Sequence, residues 1–289
     1  MKVLFIGDIS LNDGYVSSYE HRESPFKDVK SLLQDCDIVV GNLESMSSGN
    51  DGVNTRKHPR LATSVSTLNY LLDLNMGLAC IANNHVYDNL ESGFERTVSF
   101  FNANSIDYIG ASLDDELLPY IIKNENVSVA IMNYVTRDTN PCVPDDALIK
   151  INYFDLEEVT NQIHHIKEKV DFVILCLHWG GNMEGSMFPD RRLPDLAHKL
   201  IDIGADLIIG HHSHTLQPCE KYKGKYIFYS LGNFCFSDIK TEVGSIELDK
   251  KRTSKSMIVS TEFSTNGISI DLFPIKQVGL NILRDNKSL

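Results

Sequence analysis

Three of the chain's ten histidines, His211, His212 and His214, stand together directly after the aliphatic run of "ADLIIG". Imidazole is a common ligand for borderline divalent metals, and three adjacent rings rarely arise for packing alone. Residues two apart in an extended segment project to one side, so His212 and His214 are expected to act together and His211 to point away. Other groups with ligand chemistry follow other apolar runs. They are Asp8 after "KVLFIG", Asn42 and Glu44 after "DIVV", Asn83, Asn84 and His85 after "GLACIA", His178 after "FVILCL", and Asn233 within "YSLGNF". Carboxylates from Asp8 and Glu44, an amide oxygen from Asn42 or Asn84, and nitrogens from His178, His212 and His214 make a mixed N/O donor set. Such a set suits Mn, Fe or Zn better than Ca or Mg, and it is large enough for two ions.

Taken singly, most of these groups have a plainer explanation. Asp8 could cap a helix. Asn42 and Glu44 could be a turn and a solvated acid, "ANNHVYD" could be a turn in which His85 pairs with Asp88, and His178 could be an interior histidine. These explanations would be independent coincidences, all at the ends of apolar runs, whereas one shared site accounts for them together.

The elements that must position the set are legible in outline. "KVLFIG", "DIVVGN", "GLACIA", "VSVAIMNY", "DFVILCLHWG", "ADLIIG" and "KYIFYSLGNF" read as buried strands. Between them, "SVSTLNYLLDLN" puts Val65, Leu68, Leu71 and Leu72 on one helical face, and "PDLAHKLIDIG" does the same with Leu196, Leu200 and Ile203 before Gly204. This alternation predicts an α/β domain with a largely parallel central sheet, whose C-terminal strand ends share one edge where ligands bind. The tail "KSMIVSTEFSTNGISIDLFPIKQV" reads as two antiparallel strands joined at Asn266-Gly267. Without repeats, low-complexity tracts or a linker, residues 1–289 are expected to form a single domain. The polar stretches 45–60 and 237–255 read as long loops of the kind that cover sites. In the first, "TRKHPR" offers Arg56, Lys57, His58 and Arg60, and Arg56 and Arg60 are the expected clamp for a phosphate or carboxylate. "KKR" at 250–252 reads as solvated.

Composition narrows the partners. With 39 acidic against 27 basic residues and a formal charge of −12, the chain is a poor match for nucleic acid or an anionic membrane surface. A 42% hydrophobic, 23% charged sequence is that of an ordinary globular protein. The first apolar run is too short for a signal peptide or a membrane span, so no membrane segment is expected. Six scattered cysteines without a CxxC pair read as reduced, which predicts a cytoplasmic protein.

"GDISLN", "GNLES", "ANNHVYD", "LHWG", "GADLIIGHHSHTLQP" and "YSLGNF", in this order, resemble the CapA family of poly-γ-glutamate capsule proteins in the calcineurin-like metallophosphoesterase superfamily. The resemblance implies a four-layer α-β-β-α sandwich with mixed sheets and a dinuclear centre at the strand ends. By that analogy Asp8 and His214 would hold one ion, and Asn84, His178 and His212 the other. Glu44, with Asn42 as the alternative, would bridge them. His85, oriented by Asp88, would protonate the leaving oxygen or contact the phosphate, and Asn233 would line the site. Ser10 stands where the superfamily's Asp-x-His has its imidazole, and Asn-Leu-Glu replaces an aspartate motif. The implied function is a metal-dependent phosphoesterase acting on a small anionic, phosphorylated intermediate of a capsule or surface-polymer pathway. The alternatives are hydrolysis of a γ-glutamyl amide and a non-catalytic metal-binding accessory role in polymer assembly or export.

Overall fold

Strict alternation along the central strands decides the layering. Val3 and Phe5 of the strand Lys2–Ser10 join one buried cluster while Leu4 and Ile6 join another. In Phe172–His178, Ile174 and Cys176 go one way and Val173, Leu175 and Leu177 the other. A strand that buries both faces must lie between two apolar layers. The computed structural model, which describes residues 1–19, 24–114 and 116–285, supplies them. Val3, Phe5, Val40 and Leu78 of one sheet meet Ile131, Ile174, Cys176 and Ile209 of a second. The outer face of the first sheet is covered by Tyr15, Leu33, Leu71, Phe94 and Phe101 from short helices and the longer Leu90–Ala103. The outer face of the second is covered by Val159, Ile163 and Leu200 from helices Leu156–Lys167 and Leu193–Ile203. The order is helix, sheet, sheet, helix. Slipping any central strand by one residue would exchange its two buried faces, so that side chains fitted to one layer would have to pack into the other.

Both sheets are parallel at the centre and antiparallel at an edge. In the first, Lys2–Ser10, Ile38–Leu43, Met76–Cys80 and Asp107–Ile109 run parallel, and Lys255–Ser264, Gly267–Val278 and Asn281–Arg284 continue antiparallel beyond Lys2–Ser10. Ser264 pairs with Gly267, so the expected tail hairpin turns over Thr265 and Asn266. In the second, Ser128–Val135, Phe172–His178, Leu207–His211 and Lys225–Phe228 are parallel, flanked by antiparallel Tyr120–Lys123 and Cys219–Tyr222.

Three expectations are corrected. "KYIFYSLGNF" is not one strand: Lys225–Phe228 belongs to the second sheet and Asn233–Phe236 pairs with Lys2–Ser10 in the first. The chain crosses between the sheets at Gly232, whose φ of 71° is open to glycine at little cost. Its carbonyl accepts from Asp8 N–H at 2.9 Å, and a Cβ on Gly7 would lie 2.0 Å from that oxygen. The stretch 64–75 forms only a single 3-10 turn and the short helix Tyr70–Asp73, which leaves Leu72 exposed while Leu68, Leu71 and Leu74 are buried. The stretch 237–255 is no open loop: it contains the hairpin Ile239–Thr241 and Gly244–Ile246 and the helix Lys250–Thr253, with Ile239 buried against Leu61 and Phe236.

Candidate metal centre

The C-terminal ends of both sheets meet, and the donor set of the sequence gathers there. The first sheet contributes Asp8, Asn42 and Glu44, with Asn83, Asn84 and His85 following the strand Met76–Cys80. The second contributes His178, the last residue of its strand, and His211, the last of Leu207–His211, after which come His212 and His214. All of them are buried. Possible metal donors form two groups, Asp8 with Glu44 and His178, and Glu184 with His212 and His214, and within each group one donor atom per residue lies within 4.8 Å of the others.

The hydrogen bonds fix which atom each group presents. Asn83 Oδ1 accepts from the backbone N–H of His85 at 3.0 Å, so its Nδ2 donates to Leu43 O at 2.7 Å and to Asn42 Oδ1 at 3.3 Å. Asn42 therefore turns its nitrogen, not its oxygen, toward Asp8 Oδ1 at 2.9 Å, Glu44 Oε1 at 3.1 Å and His178 Nδ1 at 3.2 Å. It organises the carboxylates as a donor. The two N–H of that amide serve the two carboxylates, so the 3.2 Å approach of His178 Nδ1 does not set its tautomer, and its Nε2 stands 3.0 Å from Asn84 Oδ1. His212 donates from Nε2 to Gly181 O at 2.6 Å, and His214 from Nδ1 to Asn233 Oδ1 at 3.0 Å. His85 donates from Nδ1 to Asp88 Oδ2 at 2.6 Å, and the same carboxylate oxygen accepts from Leu61 N–H at 2.7 Å. The remaining ring nitrogen of His85 lies 4.0 Å from Glu44 Oε2.

The charges are strongly coupled. Burial disfavours the Asp8 carboxylate, but hydrogen bonds and charge from His211 and His214 outweigh it and hold its carboxyl well below the usual range. Burial, aided by Asp8, lifts Glu44 to about 8. Burial also opposes protonation of His214, yet the Glu44 and Asp8 carboxylates raise it to about 10. Burial and the His214 charge lower His212 to about 4. Burial and the neighbouring Lys57 lower His85, and burial followed by His212 lowers His178.

Does a divalent cation fit these residues? Among the described residues, the buried side-chain atoms without a hydrogen-bond partner are Glu44 Oε2, Asp88 Oδ1, His212 Nδ1 and Asn233 Nδ2, and all four belong to this cluster. Orphaned buried acceptors are costly, by about 1–3 kcal/mol each, and a carboxylate oxygen and an imidazole lone pair are what a borderline metal binds. The His212 and His214 rings each give one N–H to a fixed oxygen, as imidazole ligands commonly do. The donor set fits.

Residues 2–238 match the family described as bacterial capsule synthesis protein PGA_cap. The chain belongs to that family. It is 29% identical over 269 residues to the PGA biosynthesis protein CapA of Bacillus subtilis, a match covering 91% of this chain and 68% of that one. It is also 29% identical over 260 residues to the capsule biosynthesis protein CapA of Bacillus anthracis, covering 86% of this chain and 60% of that one. A probable polyglutamine synthesis accessory protein of Mycobacterium tuberculosis is 24% identical over 283 residues, covering 91% and 73%. Among solved structures, a 5′-nucleotidase precursor from Thermus thermophilus superposes with a TM-score of 0.48 at 12% identity over 98% of this chain and 54% of that one.

Within this capsule-synthesis family member, several residues stand differently from expectation. His211 does not point away: its Nδ1–H donates to Asp8 Oδ1 at 2.9 Å. The segment after it is not extended, because His212 and His214 have φ of 97° and 59°, an uncommon conformation for non-glycine residues that concentrates at functional sites. Asn233 begins a strand instead of ending one, in register with Asp8. Arg56 is exposed, and Arg60 is engaged by Glu242 at 3.1 Å and by Lys57 O at 3.0 Å. Neither lines the cavity of about 430 Å³ that opens onto Asn84, His85 and His214, whereas Lys57 does. Lys57 donates to Asn84 O and lies 3.9 Å from Asp88 Oδ1, with burial pushing its ammonium down. A cavity of similar volume, about 470 Å³, beside Tyr108 and Leu118 has none of the imidazoles.

Lys57, His211 and Glu184 are thus the neighbours of the site that sequence reasoning passed over. Lys57 and His211 sat inside motifs already singled out, but which side chain of a loop turns inward has no periodic signal. Glu184 lies in the glycine-rich "WGGNMEGSM" shortly after His178, and a lone acid among glycines reads as solvated loop. Among the described residues no helix is long and apolar enough to cross a membrane.

Proposed function

We propose that this member of the capsule-synthesis family is a metal-dependent hydrolase of phosphate esters, with a small anionic, phosphorylated compound as its substrate. The observation that carries the reading is the set of orphaned buried acceptors, Glu44 Oε2 and His212 Nδ1 above all, at the meeting of two sheets' strand ends. Asp8, Glu44, Asn84, His178, His212 and His214 would hold two divalent ions of Mn, Fe or Zn. Asn42 serves as the donor that fixes Asp8 and Glu44. Ions held there would supply positive charge to a phosphoryl oxygen and acidify a water molecule.

The chain's own side chains divide the remaining work. Lys57, at the cavity wall, is a cation available to an incoming anion, and its partial desolvation strengthens that attraction. His85 is held by Asp88 so that its Nε2 is free to exchange a proton with a group in the cavity. Burial and Lys57 keep it neutral in the free protein, and an anionic group placed beside it would favour its protonated form. It would then be poised to protonate a leaving oxygen. Asn233 engages Nδ1–H of His214, so that Nε2 is the nitrogen that would lose its proton to a metal ion.

The test is turnover of p-nitrophenyl phosphate and of an alkyl phosphate by protein reconstituted with Mn²⁺. Turnover that is abolished by chelator and restored by metal is expected. Metal binding without turnover of either ester, or of any phosphorylated metabolite in a screen, would instead favour an accessory role of the kind the mycobacterial relative is named for.

A further inference from the structure

Ser10 cannot supply the ligand that its position lacks. Its hydroxyl, at the end of the strand Lys2–Ser10, is fully buried and donates to Asn12 Oδ1 at 2.8 Å just beyond it. One of the two proposed ions would therefore be short of a donor on that side. From the other sheet, the segment after His178 brings Glu184 to the mouth of the cavity, where a carboxylate oxygen stands within 4.8 Å of a nitrogen of His212 and of His214.

This segment is tied to the histidines on both sides of Glu184. Before it, Gly181 O accepts from His212 Nε2 at 2.6 Å; after it, Gly185 N–H donates to Ser213 O at 2.8 Å. Further on, Ser186 O accepts from Gln217 Nε2 at 2.9 Å and from Thr215 Oγ1. Gly181 and Gly185, at φ of 59° and 76°, let the chain bend sharply enough to make both ties. The nitrogens not committed to a hydrogen bond are Nδ1 of His212, which is buried without a partner, and Nε2 of His214, whose proton a metal ion would displace. A carboxylate beside two imidazole nitrogens not committed to other hydrogen bonds is a three-donor set for a borderline divalent metal.

We infer that Glu184 is a metal ligand, replacing with a carboxylate, from the opposite sheet, the imidazole that Ser10 does not provide to the ion held by His214. The inference rests on the metal-binding reading above, and the experiment separates the two. Mn²⁺ is titrated calorimetrically into chelator-treated wild type, Glu184→Gln and Glu184→Asp, with metal content after gel filtration as a second measure. Glu184 is exposed, so the apo variants are expected to melt at the wild-type temperature. In wild type, Mn²⁺ should bind. In Glu184→Gln one binding event should weaken by at least about tenfold, the scale seen when even a ligand's supporting partner is lost, and Glu184→Asp should recover part of it. Mn²⁺ isotherms of Glu184→Gln that match wild type would overturn the assignment while leaving the metal centre intact. No Mn²⁺ or Zn²⁺ binding by wild type would remove the underlying reading and the assignment with it.

Discussion

The Nε2–H of His212 donates to the carbonyl of Gly181 at 2.6 Å, and the other nitrogen of the same ring is buried with no hydrogen-bond partner. One contact thereby fixes the tautomer and leaves a lone pair among His178 and His214, whose ring centres lie 4.9 and 6.1 Å away. A neutral imidazole with its N–H committed elsewhere is prepared as a ligand without further rearrangement. The strained φ of 97° at His212 contributes to that placement, at a cost of order 1–3 kcal/mol.

Because the ring's role is coordination, His212→Ala should lower bound metal and activity together, and the metal-free variant should not be greatly less stable than metal-free wild type. Elemental analysis and thermal melts with and without Mn²⁺ read both. Wild-type metal content in His212→Ala would refute the role.

Lys57, and not the arginines flanking it, is expected to hold the anionic part of a substrate. Lys57→Ala should raise KM for a charged ester by about tenfold or more, a loss of roughly 1.4 kcal/mol of binding, with metal content unchanged. The double variant Arg56→Ala, Arg60→Ala should leave KM within about twofold of wild type, since Arg56 is exposed and Arg60 is bound to Glu242. The reverse pattern would return the clamp to the arginines.

The buried strands and the gathering of donors at their ends were legible from local rules, whereas those rules gave one central sheet and the division into two sheets came only from the family resemblance. Period-two burial in "KVLFIG" and "FVILCL" demands apolar layers on both sides, and parallel strands carry Asp8 and Glu44 to the C-terminal edge of one sheet and His178 to that of the other, which face each other once the sheets pack. What was illegible depends on single dihedral angles. Gly232 turns the chain from one sheet to the other in the middle of an apolar run, and the left-handed His212 and His214 undo the alternation that would have sent His211 outward. Lys57 and Glu184 are placed by hydrogen bonds to carbonyls and amides far away in sequence, Asn84 O and Ser213 O among their anchors, and no composition or spacing encodes those.

Glu44 makes the metal-free protein sensitive to pH. Its folded-state pKa, raised by burial from 4.5 to about 8, means that the folded form keeps the proton where the unfolded chain has released it. The stability associated with that proton is full below about 4.5 and is lost as pH rises through about 8, at up to about 1.4 kcal/mol per pH unit. His214, raised to about 10, stays charged over this window and so does not reverse the trend. Glu44→Gln removes the titration. In chelator, its melting temperature should exceed that of wild type by more at pH 7.5 than at pH 5. Parallel pH profiles for the two proteins would show that Glu44 is not the group responsible.

His85 and His212 are both buried imidazoles at the same sheet edges, yet their hydrogen bonds give them different work. His85 spends Nδ1–H on Asp88 at 2.6 Å and lines the cavity, while His212 spends Nε2–H on a backbone carbonyl beside the other donors. Removing a proton donor should leave the metals in place and slow only the step that needs the proton. His85→Ala is therefore expected to keep wild-type metal content and to lose ~10²–10⁴-fold in kcat on an alkyl phosphate, the usual contribution of a positioned acid or base. The loss should be much smaller on an aryl phosphate, whose leaving group departs without protonation. Asp88→Asn should follow the same pattern in milder form, because it weakens the orientation of the ring without removing it. Loss of metal from His85→Ala, or equal losses on the two esters, would show that the ring supports the centre and does not serve the leaving group.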